Sequence, residues 1–438
     1  MNSLTVFEFG KVVEANDEAN EHAVPARVFA WLESQCRRTD DNAPIWLKHA
    51  KMDGRRAVQF ANYVGVVRAP CGYQIEVLPK VGKDMDEKRA RQLLIDMLLC
   101  LNGFRHIKTD SAKLASARMP LFEVFIKEFL LAVEHVVKRG VRSDYVARQD
   151  NLFALRGKLL IAQQIRQNLH RADRFFTEHD EFSPNRPENR LLHTALRQVL
   201  SASVSQDNQR LARELCFVFA DIPASTQIAH DFQQVRLDRG MDYYADALVW
   251  ARLILEEQSP LTGSGTHLAP SLLFPMEALF EAFVAKHLSK KLVPPFKLKT
   301  QARSHHLVQH LERDWFLLKP DMLIRNGDCN QLVLDTKWKL LDALKGNARE
   351  KYQLSQSDFY QLYAYGQHYL DGRGDIVLIY PKTDAFAQPL PVFAFPKAED
   401  LRLWVLPFCL TERRLILPES AKFNALFCLG DSASKQAF

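Results

Sequence analysis

The chain has 438 residues, 47% of them hydrophobic and 25% charged, a balance that excludes a disordered or fibrous protein. That length exceeds one compact core, and three domains are expected. With 58 basic against 52 acidic residues the net charge is only +6, which excludes a histone-like polycation but not a local basic groove for phosphates.

Met1 to Gly10 lacks the basic and apolar regions of a signal peptide, and no apolar run reaches membrane-spanning length, so a cytoplasmic protein without membrane association is expected. Residues 1–84 read as a β-rich N-terminal domain. Short β-type runs at Tyr63 to Arg68 and Tyr73 to Leu78 flank the turn Ala69-Pro70-Cys71-Gly72. Residues 85–265 read as a helical middle domain. Leu93, Leu94, Met97, Leu98 and Leu101 recur at helical spacing before the stop signal Asn102-Gly103. A second helix opens at Pro120, carries Phe122, Phe125, Phe129, Val133 and Val136 on one face, and stops at Gly140. Further helices are expected over Pro187 to Ala202, Asn208 to Phe219 and Met241 to Glu256.

Ser259 to Pro270 mixes Pro, Gly, Ser and Thr and reads as a boundary or exposed loop. Beyond it, residues 266–438 alternate as an α/β domain, giving an α+β multidomain protein. A helix is expected from about 275 to 292, strands at 297–309, 313–325 and 331–338, a helix at 357–370 and a strand at 375–380. The seven cysteines (Cys36, Cys71, Cys100, Cys216, Cys329, Cys409 and Cys428) are scattered without a C-x-x-C pair, so neither a disulfide framework nor a zinc site is indicated.

The chemistry concentrates in one hairpin. Leu317 to Ile324 and Gln331 to Trp338 flank the turn signal Asn326-Gly327, and Asp321 and Asp335 are equidistant from Asp328. A hairpin centred there sets the two carboxylates opposite each other, with Cβ atoms about 4.5–5.5 Å apart. Lys337, two residues beyond Asp335, points the same way. Such a pair repels and favours protonation unless a cation holds it. Mg²⁺ suits it, being held by one or two carboxylates plus substrate phosphates, and Mn²⁺ shares those preferences. The competing reading is a solvent-facing hairpin or a merely structural Asp335–Lys337 ion pair. Against it, Asp335 interrupts the apolar run Leu332-Val333-Leu334 and precedes Trp338.

The pattern Pro320-Asp321…Asp335-Thr336-Lys337 resembles the PD-(D/E)XK nuclease superfamily, and the run Leu332 to Lys339 resembles the McrC family, the cleaving subunits of McrBC restriction systems. Tyr63-Val64-Gly65-Val66 with Ile75 to Lys80, then Leu155-Arg156-Gly157-Lys158, then Glu181-Phe182 through Leu192 are similar to that family's earlier regions, so the likeness spans about 60–382. The resemblance implies a Mg²⁺-dependent endodeoxyribonuclease with a C-terminal nuclease domain. Asp321, Asp335 and Lys337 become its catalytic set, and Thr336 lends its backbone carbonyl beside Asp321 and Asp335 as a metal ligand. Glu281 matches an acidic residue on the helix before the site, with Glu277 one turn earlier. Gln361 and Tyr365 resemble a Q-x-x-x-Y helix signature that contacts the phosphate backbone or braces the site.

The resemblance also implies an McrB-like AAA+ GTPase hexamer as partner, entered by the N-terminal domain, and double-stranded DNA carrying 5-methylcytosine as substrate. No residue in 1–110 identifies itself as the GTPase contact, Lys80 and Lys83 included. No G-x-x-x-x-G-K-[ST] motif is present, so no nucleotide is expected on this chain itself, and Gly263-Ser264-Gly265 reads as a loop. His305, His306 and His310 cluster and read as strand-surface residues rather than a second metal site. Two other functions remain open: a non-cleaving adaptor that activates the GTPase, and a stand-alone defence or repair nuclease.

Overall fold

The computed structural model describes residues 3–15, 22–36, 45–82, 87–101, 120–256, 271–419 and 421–427. The chain forms two compact units: one from 1–65, 69–105 and 273–438, the other from 66–68 and 106–272. The first unit thus gathers the N-terminal strands and the C-terminal α/β region, which sequence boundaries at 84 and 265 keep apart. The stop signal Asn102-Gly103, the stretch Ser259 to Pro270 and the tail after 427 lie outside the described residues.

In the first unit, β1 (Ser3–Phe7), β2 (Lys11–Glu14) and β3 (Ala23–Val24) precede α1 (Ala26–Cys36), then β4 (Leu47–Met52), β5 (Arg55–Phe60), β6 (Tyr63–Arg68), β7 (Gln74–Leu78) and α2 (Glu87–Leu98). β3-β2-β5-β4 form one sheet, and β1 pairs in parallel with β7 in another. Alternation in β7 fully buries Ile75 and Val77, while Glu76, mostly buried on the other face, pairs with Arg91 of α2 at 2.6 Å.

The second unit carries α3 (Leu121–Arg139), β8 (Asp144–Leu152), β9 (Lys158–Leu159), α4 (Ile161–Asn168), β10 (Phe175–Ser183), α5 (Pro187–Ala202), α6 (Gln206–Val218), α7 (Ile228–Gln234) and α8 (Ala245–Glu256). The helix bounds at Pro120, Gly140 and Pro187 match the capping signals. The sheet β8-β10-β9 is an addition to the helical reading. β8, with sequence DYVARQDNL, lacks a clean alternation and becomes a strand through nine paired residues with β10.

Back in the first unit come β11 (Ser271–Pro275), α9 (Met276–Ser289), β12 (Lys297–Thr300), β13 (His305–His310), β14 (Arg313–Leu318), β15 (Met322–Asn326), β16 (Cys329–Thr336), α10 (Gln356–Tyr369), β17 (Gly374–Pro381), β18 (Phe393–Phe395), β19 (Ala398–Cys409), β20 (Arg414–Leu415) and α11 (Ala421–Leu426). A mixed sheet runs β12-β15-β16-β17-β19-β18, with β20 on β19. The strands expected at 297–309 and 313–325 are each broken in two. The chain leaves the sheet at Gln301, where φ is +45°, and returns at Asp321, after Pro320, which has no N–H for a ladder. Between the breaks, and among the described residues, β13 and β14 pair only with each other.

α10 buries Leu362, Tyr365 and Tyr369 with Val333, Leu378, Leu403 and Val405 of the sheet. Residues of opposite parity face α9, whose Phe280 meets Trp338 at 5.2 Å and Phe408 at 6.3 Å. Parity thus sends Asp335 and Lys337 toward the α10 face and Trp338 toward α9.

Candidate active site

The hairpin β15–β16 reverses at Gly327-Asp328, Gly327 supplying the positive φ of +56°. A bulge after Ile324 shifts the register by one, so that Met322 faces Leu334 at the end of the paired segment, with Asp321 one residue beyond it. β16 is flanked by β15 and by parallel β17, where Asp335 pairs with Leu378. Asp335 is therefore 1% exposed, at the end of the fully buried run Leu332-Val333-Leu334.

The local contacts are specific. The backbone N–H and the hydroxyl of Thr336 both donate to Asp321 Oδ2 at 2.7 Å. Lys337 Nζ donates to Asp335 Oδ2 at 2.5 Å, and its backbone N–H donates to Ile379 O at 2.9 Å, holding the strand end. These contacts use one oxygen of each aspartate. Glu281, on α9, accepts a 3.3 Å hydrogen bond from Gln301 Nε2.

Burial costs these groups their hydration. It pushes Asp335 up to about 7, helped by the Asp321 charge and opposed by Lys337. Burial raises Asp321 as well, against the two Thr336 donors. Glu281 is pushed up to about 7 by burial and then by Asp321. Burial pulls Lys337 down, yet Asp335 and Asp321 outweigh it and the ammonium is raised. Three carboxylates thus share one ammonium in a water-poor pocket, an arrangement a divalent cation neutralises. Among the described residues no group of three or more His, Cys, Asp and Glu side chains is poised to cage a metal. Two aspartates with substrate phosphates completing the shell is the arrangement Mg²⁺ favours.

Gln361 and Tyr365 come together on α10. Gln361 Nε2 donates to Tyr365 Oη at 2.6 Å, and that hydroxyl donates to Lys319 O at 2.9 Å. Tyr365 is 3% exposed and braces the backbone two residues before Asp321, while Gln361 stays at the surface. Tyr369 adds bonds to Leu318 O at 2.9 Å and Ala302 O at 3.4 Å. Glu277 is exposed on the first turn of α9. The three histidines sit on β13, with His305 against the Tyr369 ring at 4.6 Å.

Other neighbours escaped the sequence reading. Asp358, in the first turn of α10, adds to the upward push on Asp335 and Lys337, and Tyr380 Oη donates to it at 3.4 Å. Glu8, fully buried after β1, accepts from Trp338 Nε1 at 2.8 Å. Lys80 Nζ lies 3.8 Å from Glu8 Oε1 and donates to Trp338 O at 3.1 Å. An acid inside the apolar run Val6-Phe7-Glu8-Phe9 was the one available signal, and nothing local named its partner.

Residues 58–381 match the family described as McrBC 5-methylcytosine restriction system component. The fold is similar to a refined half-complex from a tetradecameric assembly of Thermococcus gammatolerans McrB AAA+ hexamers with bound McrC. The TM-score is 0.64 at 21% identity, covering 97% of this chain and 98% of that chain. A cryo-EM structure of the Thermococcus gammatolerans McrBC complex matches at a TM-score of 0.46 and 21% identity, over 64% of this chain and 85% of that chain. Among curated proteins no sequence matches.

Proposed function

The chain belongs to the McrBC family of 5-methylcytosine restriction system components, and we propose that it is the subunit that cuts DNA. The observation that carries this reading is the buried strand end where Lys337 donates to Asp335 Oδ2 and Thr336 donates twice to Asp321 Oδ2. A purely structural ion pair needs one carboxylate per ammonium. Here Glu281 and Asp321 add negative charge that only a further cation, or a proton, relieves.

In this reading Asp321, Asp335 and the Thr336 carbonyl would hold Mg²⁺ or Mn²⁺, which would supply charge neutralisation at the scissile phosphate. Thr336 orients Asp321 by donating twice to its Oδ2. Lys337 keeps its proton because two aspartates face it, and its ammonium steadies the negative charge that grows on phosphate oxygens as water attacks and the P–O bond breaks. Glu281, raised by burial and by Asp321, stands on α9 as a third carboxyl of the site. Gln361 lies at the surface beside the braced segment, within the region a phosphate backbone would cross.

The partner in this proposal is an McrB-like AAA+ GTPase hexamer that this chain stimulates, and the substrate is double-stranded DNA with 5-methylcytosine. The solved relative is described with McrB AAA+ hexamers, which supports the pairing. Among the described residues no helix is long and apolar enough to cross a membrane. The test is cleavage of methylated plasmid by this chain with its neighbouring GTPase, GTP and Mg²⁺, comparing wild type with Asp335→Ala. Cleavage lost in the variant while GTP hydrolysis persists is the expected result. Equal cleavage by both rejects the site, and stimulated GTP hydrolysis without any cleavage by wild type identifies the adaptor.

A further inference from the structure

Glu8 and Lys80 stand side by side because the strands that carry them are parallel neighbours. β1 and β7 pair from Ser3 with Gln74 to Phe7 with Leu78, and the Glu8 N–H extends the ladder by donating to Leu78 O at 2.8 Å. Beyond that point both strands turn. Phe9 takes a φ of +62° as the Gly10 N–H closes on Phe7 O at 2.7 Å, and Lys80 opens the single turn Lys80–Gly82. The Lys80 N–H donates to Glu8 Oε2 at 3.4 Å, which links the two turns.

Both side chains run inward. That of Glu8 is fully buried and that of Lys80 is 13% exposed, with 3.8 Å between Nζ and Oε1. A buried ion pair adds little net stability, because desolvation offsets its attraction and apolar side chains of similar volume would pack as well. What the charges add here is direction, since both polar ends converge on one residue. Glu8 Oε2 accepts from Trp338 Nε1 at 2.8 Å, and Lys80 Nζ donates to Trp338 O at 3.1 Å.

Trp338 follows Lys337, and both lie past the end of β16 at Thr336. There the Lys337 N–H still donates to Ile379 O at 2.9 Å, while the N-terminal pair holds the Trp338 carbonyl and indole. Phe280 packs on the same ring at 5.2 Å. Alternation sends the Lys337 side chain to the opposite face, where Nζ meets Asp335 Oδ2. A backbone gripped on one face thus aims an ammonium on the other. Lysine is a point charge on a flexible four-carbon stem, so its reach depends on where that backbone is anchored.

We propose that Glu8 and Lys80 are positioning residues for Lys337: by clamping Trp338 they fix the backbone from which its ammonium reaches the scissile phosphate. The N-terminal strands thereby belong to the nuclease site itself. This rests on the nuclease reading of that site. The experiment compares full-length variants in single-turnover cleavage of methylated plasmid at saturating DNA, with the GTPase, GTP and Mg²⁺. GTP hydrolysis, duplex affinity and melting temperature are measured alongside.

Glu8→Gln keeps an acceptor for the indole and leaves Lys80 on Trp338 O, but deprives a buried ammonium of its Glu8 carboxylate. Glu8→Gln with Lys80→Met keeps the indole acceptor and a stem of similar volume, removes both charges and cuts the backbone tether. Positioning and plain stability order these two oppositely. The single variant should melt lower than the double and still cut at least about tenfold faster. The double variant should cut about ten- to a hundredfold more slowly than wild type, as expected for a group misplaced by about 1 Å. Its duplex affinity and stimulated GTP hydrolysis should match wild type.

Cleavage that follows melting temperature, slowest in the single variant, overturns the proposal and leaves a structural ion pair. A wild-type rate in the double variant also overturns it, and a joint loss of GTP hydrolysis and cleavage assigns the pair to the partner instead. Trp338→Phe drops the indole bond alone and should cut more slowly than wild type; an unchanged rate overturns the clamp even where the double variant does not fold. Asp335→Ala tests the premise separately. Cleavage by that variant removes the nuclease reading, whereas a dead Asp335→Ala beside a fully active double variant removes only the clamp.

Discussion

Trp338 Nε1 donates a 2.8 Å hydrogen bond to Glu8 Oε2, joining residues 330 positions apart. The bond ties the N-terminal β1 region to the residue immediately after Lys337. Burial raises the Glu8 carboxyl, while Lys80 and the Trp338 donor oppose that rise. Lys80 also lies over the Phe9 and Trp338 rings, at 4.9 and 5.5 Å. Removing one partner of such a buried ion pair is costly, because the remaining charge stays buried.

Trp338→Phe keeps the ring contact with Phe280 and deletes the N–H. The variant should lose about 1–3 kcal/mol of stability, the cost of a buried acceptor left short of a donor. Urea unfolding measures it; a midpoint equal to wild type would show that the bond adds nothing net.

Mg²⁺ should raise the melting temperature of the wild-type chain, since a ligand of the folded state adds about 2.7 kcal/mol at a hundredfold excess over its Kd. Asp335→Asn should abolish that rise. Without metal the variant should be no less stable than wild type at pH 8, because the amide removes a buried charge that Asp321 repels. A thermal shift with Mg²⁺ as large in the variant as in wild type would remove Asp335 from the metal site.

Gly366 marks the close approach of α10 to the sheet. A Cβ there would lie 2.6 Å from Leu401 Cδ2 and 2.8 Å from Ile376 Cδ1. Gly366→Ala should therefore cost about 1–3 kcal/mol through overpacking. Cleavage should fall as well, since the displaced helix carries Tyr365 away from Lys319 O. Leu401→Val, which shortens the clashing side chain, should restore part of both; a double variant no better than the sum of the singles refutes the clash.

His287 packs on Phe283 at 4.5 Å and is held down to about 4 by burial, then by Arg413, Lys290 and Lys286. Its folded value lies below its ordinary 6.5, so the unfolded chain binds the proton first. The resulting stability is present above pH 6.5 and is lost as pH falls toward 4. His287→Gln should remove about 1–2 kcal/mol of that loss, allowing for partial solvent screening. The check is the wild-type minus variant difference in unfolding free energy at pH 7 and pH 4.5, which a non-titrating role would leave constant.

Much of the architecture is local and was legible without coordinates. Pro120 and Gly140 bound α3, and Pro187 opens α5, because caps act within one turn of the chain. The Asp335-Thr336-Lys337 triplet needs only strand alternation to put its acid and ammonium on one side, and the contact at 2.5 Å follows from that spacing. The register beside Asp321 did not follow from a turn centred on Asp328: the reversal lies at Gly327-Asp328, and a bulge after Ile324 sets the pairing of Met322 with Leu334.

Long-range pairing decided the rest. The segment DYVARQDNL has no pattern of its own and became β8 only against β10. The breaks at Gln301 and Asp321 turned two apparent long strands into sheet plus a separate ribbon, since an extended run of residues does not state which sheet it joins. The Tyr369 anchors, the Asp358 neighbour and the Glu8–Trp338 bond likewise join residues tens to hundreds of positions apart. Sequence determined that Asp335 and Lys337 stand two apart on one strand and so point the same way. Tertiary packing alone decided how deeply they are buried, and burial is what turned ordinary carboxylates into groups poised near 7.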